Sequence, residues 1–251
     1  MYNHSVDMMK TMWKCNVKGK KFTGEKKHCG SEGQWLEDLF GISPNSNNDA
    51  DLRGYEIKKE SDKITFGDWS ALEYLFTKKK RFTSNYMTKN MFIETFGTFK
   101  DDKKRYSWSG KCFPTYGIWN YCGQIIEFDE DNNLCIYYSY EKDKRPKKNE
   151  FPTFLKKEKK ILIAIWTYGK LEKHVNKKFN KKGFIICKKD NSDVYNSICF
   201  GSPLDVNLFF EGIKKQKIYL DSGMYQGNNR NYSQFRANKD FWNSLIIEEY
   251  F

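Results

Sequence analysis

NSNNDADLRGYEIKKE, residues 45–60, opens on Asn, Ser and Asp, side chains that bond their own backbone and favour turns. It then alternates apolar and polar through Tyr55-Glu56-Ile57-Lys58. In a strand that alternation puts Tyr55 and Ile57 on one face and Glu56 and Lys58 on the other, the latter two leaving the backbone roughly 6.5–7 Å apart, twice the strand rise. Asp51, five residues before Glu56, comes from the preceding bend or an adjacent strand end and can converge on the same point. Two carboxylates at one point repel unless a cation joins them, and hard oxygen ligands favour Mg²⁺, with Mn²⁺ expected to substitute. The Lys58 ammonium beside them is suited to orient a water or to stabilise charge building on a phosphate. Such a set is equipped for metal-assisted phosphodiester hydrolysis.

The bare acid-x-Lys pattern is common here: Glu25/Lys27, Asp101/Lys103, Asp102/Lys104 and Glu158/Lys160 also match. Only Glu56/Lys58 adds strand alternation, an Asp at short range and an acidic helix upstream. The competing reading is a solvated edge-strand face whose charges pair with one another, worth little energetically. A fourth carboxylate bears on the choice. Gly33–Phe40, GQWLEDLF, carries Trp35/Leu36 and Leu39/Phe40 at helical spacing and stops at Gly41-Ile-Ser-Pro. Glu37 lies near the edge of that stripe; turned inward it would support the site, and turned outward it is an ordinary helix carboxylate.

Composition sets the frame. In 251 residues, 44 Lys+Arg against 32 Asp+Glu give +12, and 39% hydrophobic content is too high for disorder. A pI near 9.2 in a chain with a core points to a polyanionic partner, most often nucleic acid, although Lys enrichment can also serve solubility alone. No apolar run approaches membrane-spanning length, and the first residues lack the apolar stretch of a secretory signal, so a cytoplasmic protein with no membrane partner is expected. Seven widely spaced cysteines without CxxC, and three scattered histidines, read as reduced thiols and not as a disulfide framework or zinc site.

Outward from the acidic segment the chain mixes helices and strands without strict βαβ alternation. Gly123–Phe128 and Leu134–Tyr140 form a hairpin around Asp129–Asn133; Lys142–Lys160 connects into a buried strand, Ile161–Thr167; Ser202-Pro203 opens a helix over Leu204–Ile213, and Lys217–Asp221 is a strand. The fold class is α/β (α+β) around a central mixed β-sheet, with residues 1–251 as one domain, a catalytic part at about 25–100 and a recognition part at about 200–240.

Gln226–Arg236, QGNNRNYSQFR, holds two of the chain's six arginines among Gln, Asn and Tyr. Arg forks onto guanine O6/N7, and Asn or Gln onto adenine N6/N7, in the major groove. Arg230 is the first candidate for a base contact, then Asn229 and Gln226, with Asn228, Asn231 and Tyr232 beside them and Arg236 reaching a base or phosphate; an ordinary polar turn is the alternative. Lys80 and Arg81, in the basic-aromatic run Lys78–Tyr86, are candidates to track the backbone. For Tyr106–Trp119, core packing outweighs a groove-facing loop.

These parts together resemble the PD-(D/E)xK nucleases, and within them the MvaI/BcnI group of type II restriction endonucleases related to MutH. The group's helix, PD-like turn, E-x-K strand and LFTK strand correspond to Leu36-Glu37-Asp38, Asp49-Ala50-Asp51-Leu52, Tyr55-Glu56-Ile57-Lys58 and Tyr74-Leu75-Phe76-Thr77-Lys78. Asp51-x4-Glu56-x-Lys58 matches its spacing; Ala50 replaces the eponymous Pro and leaves Asp49 a rival for Asp51. Tyr219–Arg236 resembles the group's late strand-loop-FRI recognition segment, and the histidines some members use on DNA have no counterpart. The resemblance touches roughly residues 29–78 and 217–240. It implies a restriction-endonuclease-like fold with catalytic and recognition lobes around a DNA cleft, and a monomer that hydrolyses double-stranded DNA with Mg²⁺ to leave 5′-phosphates. Asp51 and Glu56 would hold metal, Lys58 would position the attacking water, and Glu37 would support them. A cognate DNA methyltransferase would be the functional partner. The rival readings are a MutH-like nicking enzyme dependent on a partner, and a non-catalytic DNA-binding module.

Overall fold

The computed structural model describes residues 2–25, 30–42, 50–77 and 87–251. Asp49, Lys80 and Arg81 lie outside the described residues. In chain order the elements are α1 (Tyr2–Asn16), α2 (Ser31–Leu39), β1 (Glu56–Lys59), β2 (Lys63–Asp68), β3 (Glu73–Tyr74), α3 (Lys89–Phe96), β4 (Thr98–Lys100) and β5 (Arg105–Trp108). There follow β6 (Cys122–Phe128), β7 (Leu134–Asp143), α4 (Phe154–Lys157), β8 (Ile161–Trp166), α5 (Tyr168–Lys178), β9 (Phe184–Lys189) and β10 (Tyr195–Gly201). The chain closes with α6 (Val206–Lys214), β11 (Ile218–Asp221), β12 (Met224–Tyr225), β13 (Gln234–Asn238), α7 (Lys239–Asn243) and β14 (Ile246–Tyr250). Two compact units emerge, both discontinuous: residues 1–64, 173–209 and 237–251, and residues 65–172 and 210–236.

The first unit holds a mixed four-stranded sheet ordered β1-β9-β10-β14. β1 runs parallel to β9, with Glu56 beside Phe184 and Lys58 beside Ile186, and the other pairs are antiparallel. Its core joins Val6, Met9 and Trp13 of α1, Leu36 of α2, Tyr55 and Ile57, and Ile185, Tyr195, Ile198 and Phe200 of the sheet. The spacing of Val6, Met9, Trp13 and Val17 is the three-and-four rhythm of an amphipathic helix. Tyr55 and Ile57 point into this core as the alternation predicts, which commits Glu56 and Lys58 to the opposite face. At the end of α2, Gly41 adopts φ +72°, donates to Asp38 O at 2.9 Å, and lets Ile42 donate to Glu37 O at 3.0 Å. This is the Schellman pattern, with Ile42 buried behind it.

The second unit contains the sheet β3-β8-β7-β6, in which the predicted hairpin pairs antiparallel, with Ile126 opposite Ile136. β8 is almost wholly buried, as its apolar run implies, here within an antiparallel ladder. The sheet β12-β5-β4 and most of the sheet β11-β13-β2 belong to this unit as well. Three expectations shift in detail. The apolar strand at Tyr74 spans Glu73–Tyr74 before turning. The late helix begins at Val206, because Asp205 Oδ1 accepts from Leu208 N at 2.8 Å and caps it. The basic stretch Lys142–Lys160 folds into a 3₁₀ turn at Pro146–Glu150 and α4 instead of a plain connection.

That stretch also hides a charge pair. Arg145, 6% exposed, donates from Nη2 to Asp143 Oδ2 at 2.6 Å, from Nε to Oδ1 at 2.9 Å, and from Nη1 to Gly97 O at 3.1 Å. Burial works against the guanidinium charge, and the Asp143 carboxylate outweighs it, holding the Arg145 pKa above its usual range. Asp143→Ala strands a buried cation and should cost about 3–5 kcal/mol. The pair replaced together by Leu and Met should lose far less, read as the urea unfolding midpoint. An unchanged midpoint in the single variant would show that the guanidinium is compensated by water.

Candidate active site

Leu52 and Tyr55 exchange backbone hydrogen bonds at 3.0 and 2.9 Å, with Arg53 and Gly54 between them at φ +49° and +93°. Two central residues at positive φ are what a two-residue hairpin turn of the primed kind requires, and Gly54 meets that demand at low steric cost. The turn explains the Asp-x4-Glu spacing. With residues 52 and 55 paired, residues 51 and 56 flank the turn directly. Asp51 Oδ2 accepts from Ile57 N at 2.8 Å, locking the carboxylate against the first turn of β1.

Glu56 is 1% exposed. Its Oε1 accepts from Lys58 Nζ at 2.5 Å and from Lys178 Nζ, on α5, at 2.8 Å, whereas its Oε2 is buried with no partner among the described residues. Burial pushes the Glu56 pKa up, but the two ammonium groups outweigh it and hold the carboxyl below its usual range. Burial also disfavours the charged form of Lys58, and Glu56 and Asp51 overcome it, raising its pKa. Asp51 and Glu37 are different. Burial, then the neighbouring negative charges, push both carboxyls up despite Lys58 and Lys178. Glu37 is half-buried and feels Asp51, Glu56 and both lysines, so α2 turns it toward the cluster. A solvated edge-strand ion pair does not fit, because the Glu56 and Lys58 side chains are 2% and 14% exposed.

The donor set suits a divalent cation. Among the described residues no three acidic, His or Cys side chains make a ready cage. Mg²⁺ is nonetheless held by one or two carboxylates with its remaining positions on water and phosphate. Asp51 Oδ1 and the orphaned Glu56 Oε2 are the oxygens left over for that purpose.

A model of the LlaMI restriction endonuclease family matches residues 17–250. The type II restriction enzyme ScrFI of Lactococcus lactis subsp. cremoris is 38% identical over 269 residues, spanning 98% of each chain. The chain belongs to the LlaMI restriction endonuclease family. It is a type II restriction endonuclease, with the sequence-specific DNA cleavage that defines that class. The solved complex of restriction endonuclease MvaI with its cognate DNA substrate matches with a TM-score of 0.64 and 16% identity, covering 98% of this chain and 97% of that one. At that identity the likeness bears on the fold, which is the one the sequence resemblance implies.

Sequence reasoning missed two residues that shape this endonuclease's candidate site, one in the cluster and one bracing it. Lys178 stands 122 positions from Glu56, in a Lys-rich helix where nothing local marks it. Glu32, 6% exposed on α2, accepts from Lys59 Nζ at 2.9 Å and Tyr195 Oη at 3.1 Å and also pairs with Lys189. It ties the helix bearing Glu37 to β1, β9 and β10. Burial raises its pKa, but Lys189 and Lys59 prevail and hold it low.

In the second unit the Gln226–Arg236 segment is less free than its composition implies. Gln226 accepts from Tyr106 N at 2.8 Å through Oε1 and donates to Glu94 through Nε2, so its amide is occupied. Asn228 Oδ1 accepts from Arg230 N at 2.8 Å, and Lys89 Nζ bridges Asn228 O and Arg230 O at 2.7 and 3.0 Å. Arg230, its side chain 65% exposed, pairs with Asp68 at 3.3 Å and lies over the Tyr232 ring. Arg236 pairs with Asp221 at 3.0 Å and donates to Gln234. Asn229 is exposed, and Asn231 Oδ1 is buried with no partner among the described residues. Trp108 is fully buried, as core packing requires.

A raised acid pKa means that ionising the group costs folding free energy. The cost is absent while Asp51 is protonated and complete once the pH exceeds its folded pKa. Asp51→Asn keeps an acceptor for Ile57 N and removes the charge. Without divalent metal it should melt above the wild type at pH 7, with the gap closing as the pH falls through the carboxylate range. A variant that melts below the wild type at pH 7 would contradict the assigned crowding.

Proposed function

We propose that this restriction endonuclease hydrolyses double-stranded DNA with Mg²⁺ and leaves 5′-phosphate ends. The observation that carries the reading is the pair Asp51 and Glu56 across one turn, each with an oxygen left over among the described residues, flanked by two half-buried ammonium groups. Asp51 and Glu56 are the metal ligands, and Mn²⁺ is expected to replace Mg²⁺. When bound there, a divalent cation supplies Lewis-acid stabilisation of charge on the scissile phosphate. Lys58 faces the same point and serves to orient the attacking water and to meet negative charge as it grows. Lys178 shares Glu56 Oε1, so Glu56 stays ionised when Lys58 turns to substrate. Glu37, held acidic-side-in with a raised pKa, supports the site and accepts a hydrogen bond from a water there.

The first unit then carries the cutting chemistry and the second the base reading, together forming one enzyme from residues 1–251. Arg230 and Asn229, both exposed, with Asn231 and the Tyr232 ring that Arg230 covers, are the groups assigned to contacts with DNA. Asn228 and Gln226 shape the loop beneath them, and Arg236 contributes once released from Asp221. Lys80 and Arg81 are assigned to the DNA backbone from sequence alone. Among the described residues no helix is long and apolar enough to cross a membrane. A monomer acting on DNA in the cytoplasm, opposed by a cognate methyltransferase that protects the host's own sites, completes the reading.

Digestion of mixed-sequence DNA with and without Mg²⁺, followed by sequencing of the ends, tests it: discrete fragments with 5′-phosphates support it. Single-strand nicks would favour a partner-dependent nicking enzyme, and no cutting would overturn the assignment. Lys58→Ala should abolish cleavage while leaving specific binding measurable. Lys178→Ala should slow cleavage less and demand more Mg²⁺ for half-maximal rate. A Mg²⁺ requirement that does not move would reduce Lys178 to packing.

A further inference from the structure

Six arginines stand in this chain, and among the described residues most of their guanidinium groups are already engaged. Arg145, Arg230 and Arg236 each meet a carboxylate, at Asp143, Asp68 and Asp221. Arg53 sits exposed in the turn beside the acidic cluster. Arg105 differs from all of these. Its guanidinium lies 3.4 Å from the centroid of the Tyr225 ring, and among the described residues that approach is closer than the other cation–ring contacts and the side chain makes no ion pair or hydrogen bond. Its Nε is buried and unpartnered, and the residue as a whole is half-buried.

Position adds to this. Arg105 opens β5, which pairs with β12 through Ser107 opposite Tyr225 and Trp108 opposite Met224. The ladder continues one step, with Gln226 N donating to Tyr106 O at 3.1 Å and Tyr106 N donating to Gln226 Oε1 at 2.8 Å. Arg105 therefore stands at the root of the Gln226–Arg236 segment, where the chain leaves the ladder at Gly227, φ +83°. The ring fixes the plane of the guanidinium, and a planar fork without an acceptor among the described residues is prepared for an outside one. Leaving such a cation unpaired at a half-buried position costs folding free energy unless a ligand supplies the acceptors. On double-stranded DNA the acceptor pair that fits a fork is guanine O6 and N7.

We propose that Arg105, aligned by Tyr225, is a specificity-determining residue that reads one guanine of the target site. Gln226 acts as the strut that holds this corner and not as the reader. The inference rests on the second unit being the base-reading part of the enzyme.

The test uses the full chain carrying Lys58→Ala, so that DNA is bound and not cut, with Ca²⁺ present. Selection from randomised duplexes should enrich one motif. Adding Arg105→Ala should flatten one guanine position, by about tenfold or more in relative affinity, with the remaining positions kept. Arg105→Lys keeps the charge and loses the fork, so it should flatten the same position; it also serves if the Ala variant does not fold. Placing 7-deazaguanine at that position should weaken the Arg105 protein about tenfold and cost the Arg105→Ala protein nothing further.

A motif retained in full, with affinity lowered equally on every sequence and restored by Lys, would make Arg105 a phosphate contact and overturn the proposal. Retention with unchanged affinity would overturn it as well. A Lys58→Ala protein that enriches no motif at all would instead refute base reading by the chain as a whole, a failure distinct from that of Arg105.

Discussion

Paired backbone hydrogen bonds between Leu52 and Tyr55 force residues 51 and 56 to flank one turn. Three carboxylates, Glu37, Asp51 and Glu56, then share a small region with two ammonium groups, Lys58 and Lys178. The cluster is short of positive charge, and its response is uneven. Glu56, touching both lysines, stays ionised. Asp51 and Glu37, touching neither, are pushed toward the neutral form. In the proposed mechanism a divalent cation is the complement to that imbalance.

Holding it takes the rest of the first unit. Tyr55 and Ile57 anchor β1 in a core shared with α1, α2, β9 and β10. Glu32 fastens α2 to the sheet through Lys59, Lys189 and Tyr195, while Gly41 ends the helix immediately after the turn that carries Glu37. Apolar packing supplies the stability, and the ion contacts fix the register in which the four candidate side chains Glu37, Asp51, Glu56 and Lys58 meet.

The second unit holds its polar Gln226–Arg236 segment in shape with internal contacts. Carboxylates at Asp68 and Asp221 occupy Arg230 and Arg236, and Lys89 clamps two carbonyls of the loop. Composition alone ranks Gln226 among the readers, but its amide is spent on Tyr106 and Glu94. Arg105, absent from the composition-based choice, is left with a tyrosine ring and open donors.

By itself the sequence determined the elements whose cause is local. The strand face at Tyr55–Lys58, the helix ending at Gly41, the Asp129–Asn133 hairpin and the Asp-x4-Glu-x-Lys set all follow from periodicity and turn chemistry, which act within a few residues. The amphipathic spacing Val6, Met9, Trp13, Val17 is local in the same sense, a three-and-four rhythm legible as a helix. Only the tertiary structure decided that Lys178 joins Glu56, that Glu32 braces the active-site helix, that Arg145 is buried against Asp143, and which arginines are already neutralised. Each depends on residues far apart in the chain, in a composition so rich in lysine that no single one stands out. A charged side chain's role is set by the partner it meets across space, and one-dimensional spacing carries no record of that partner.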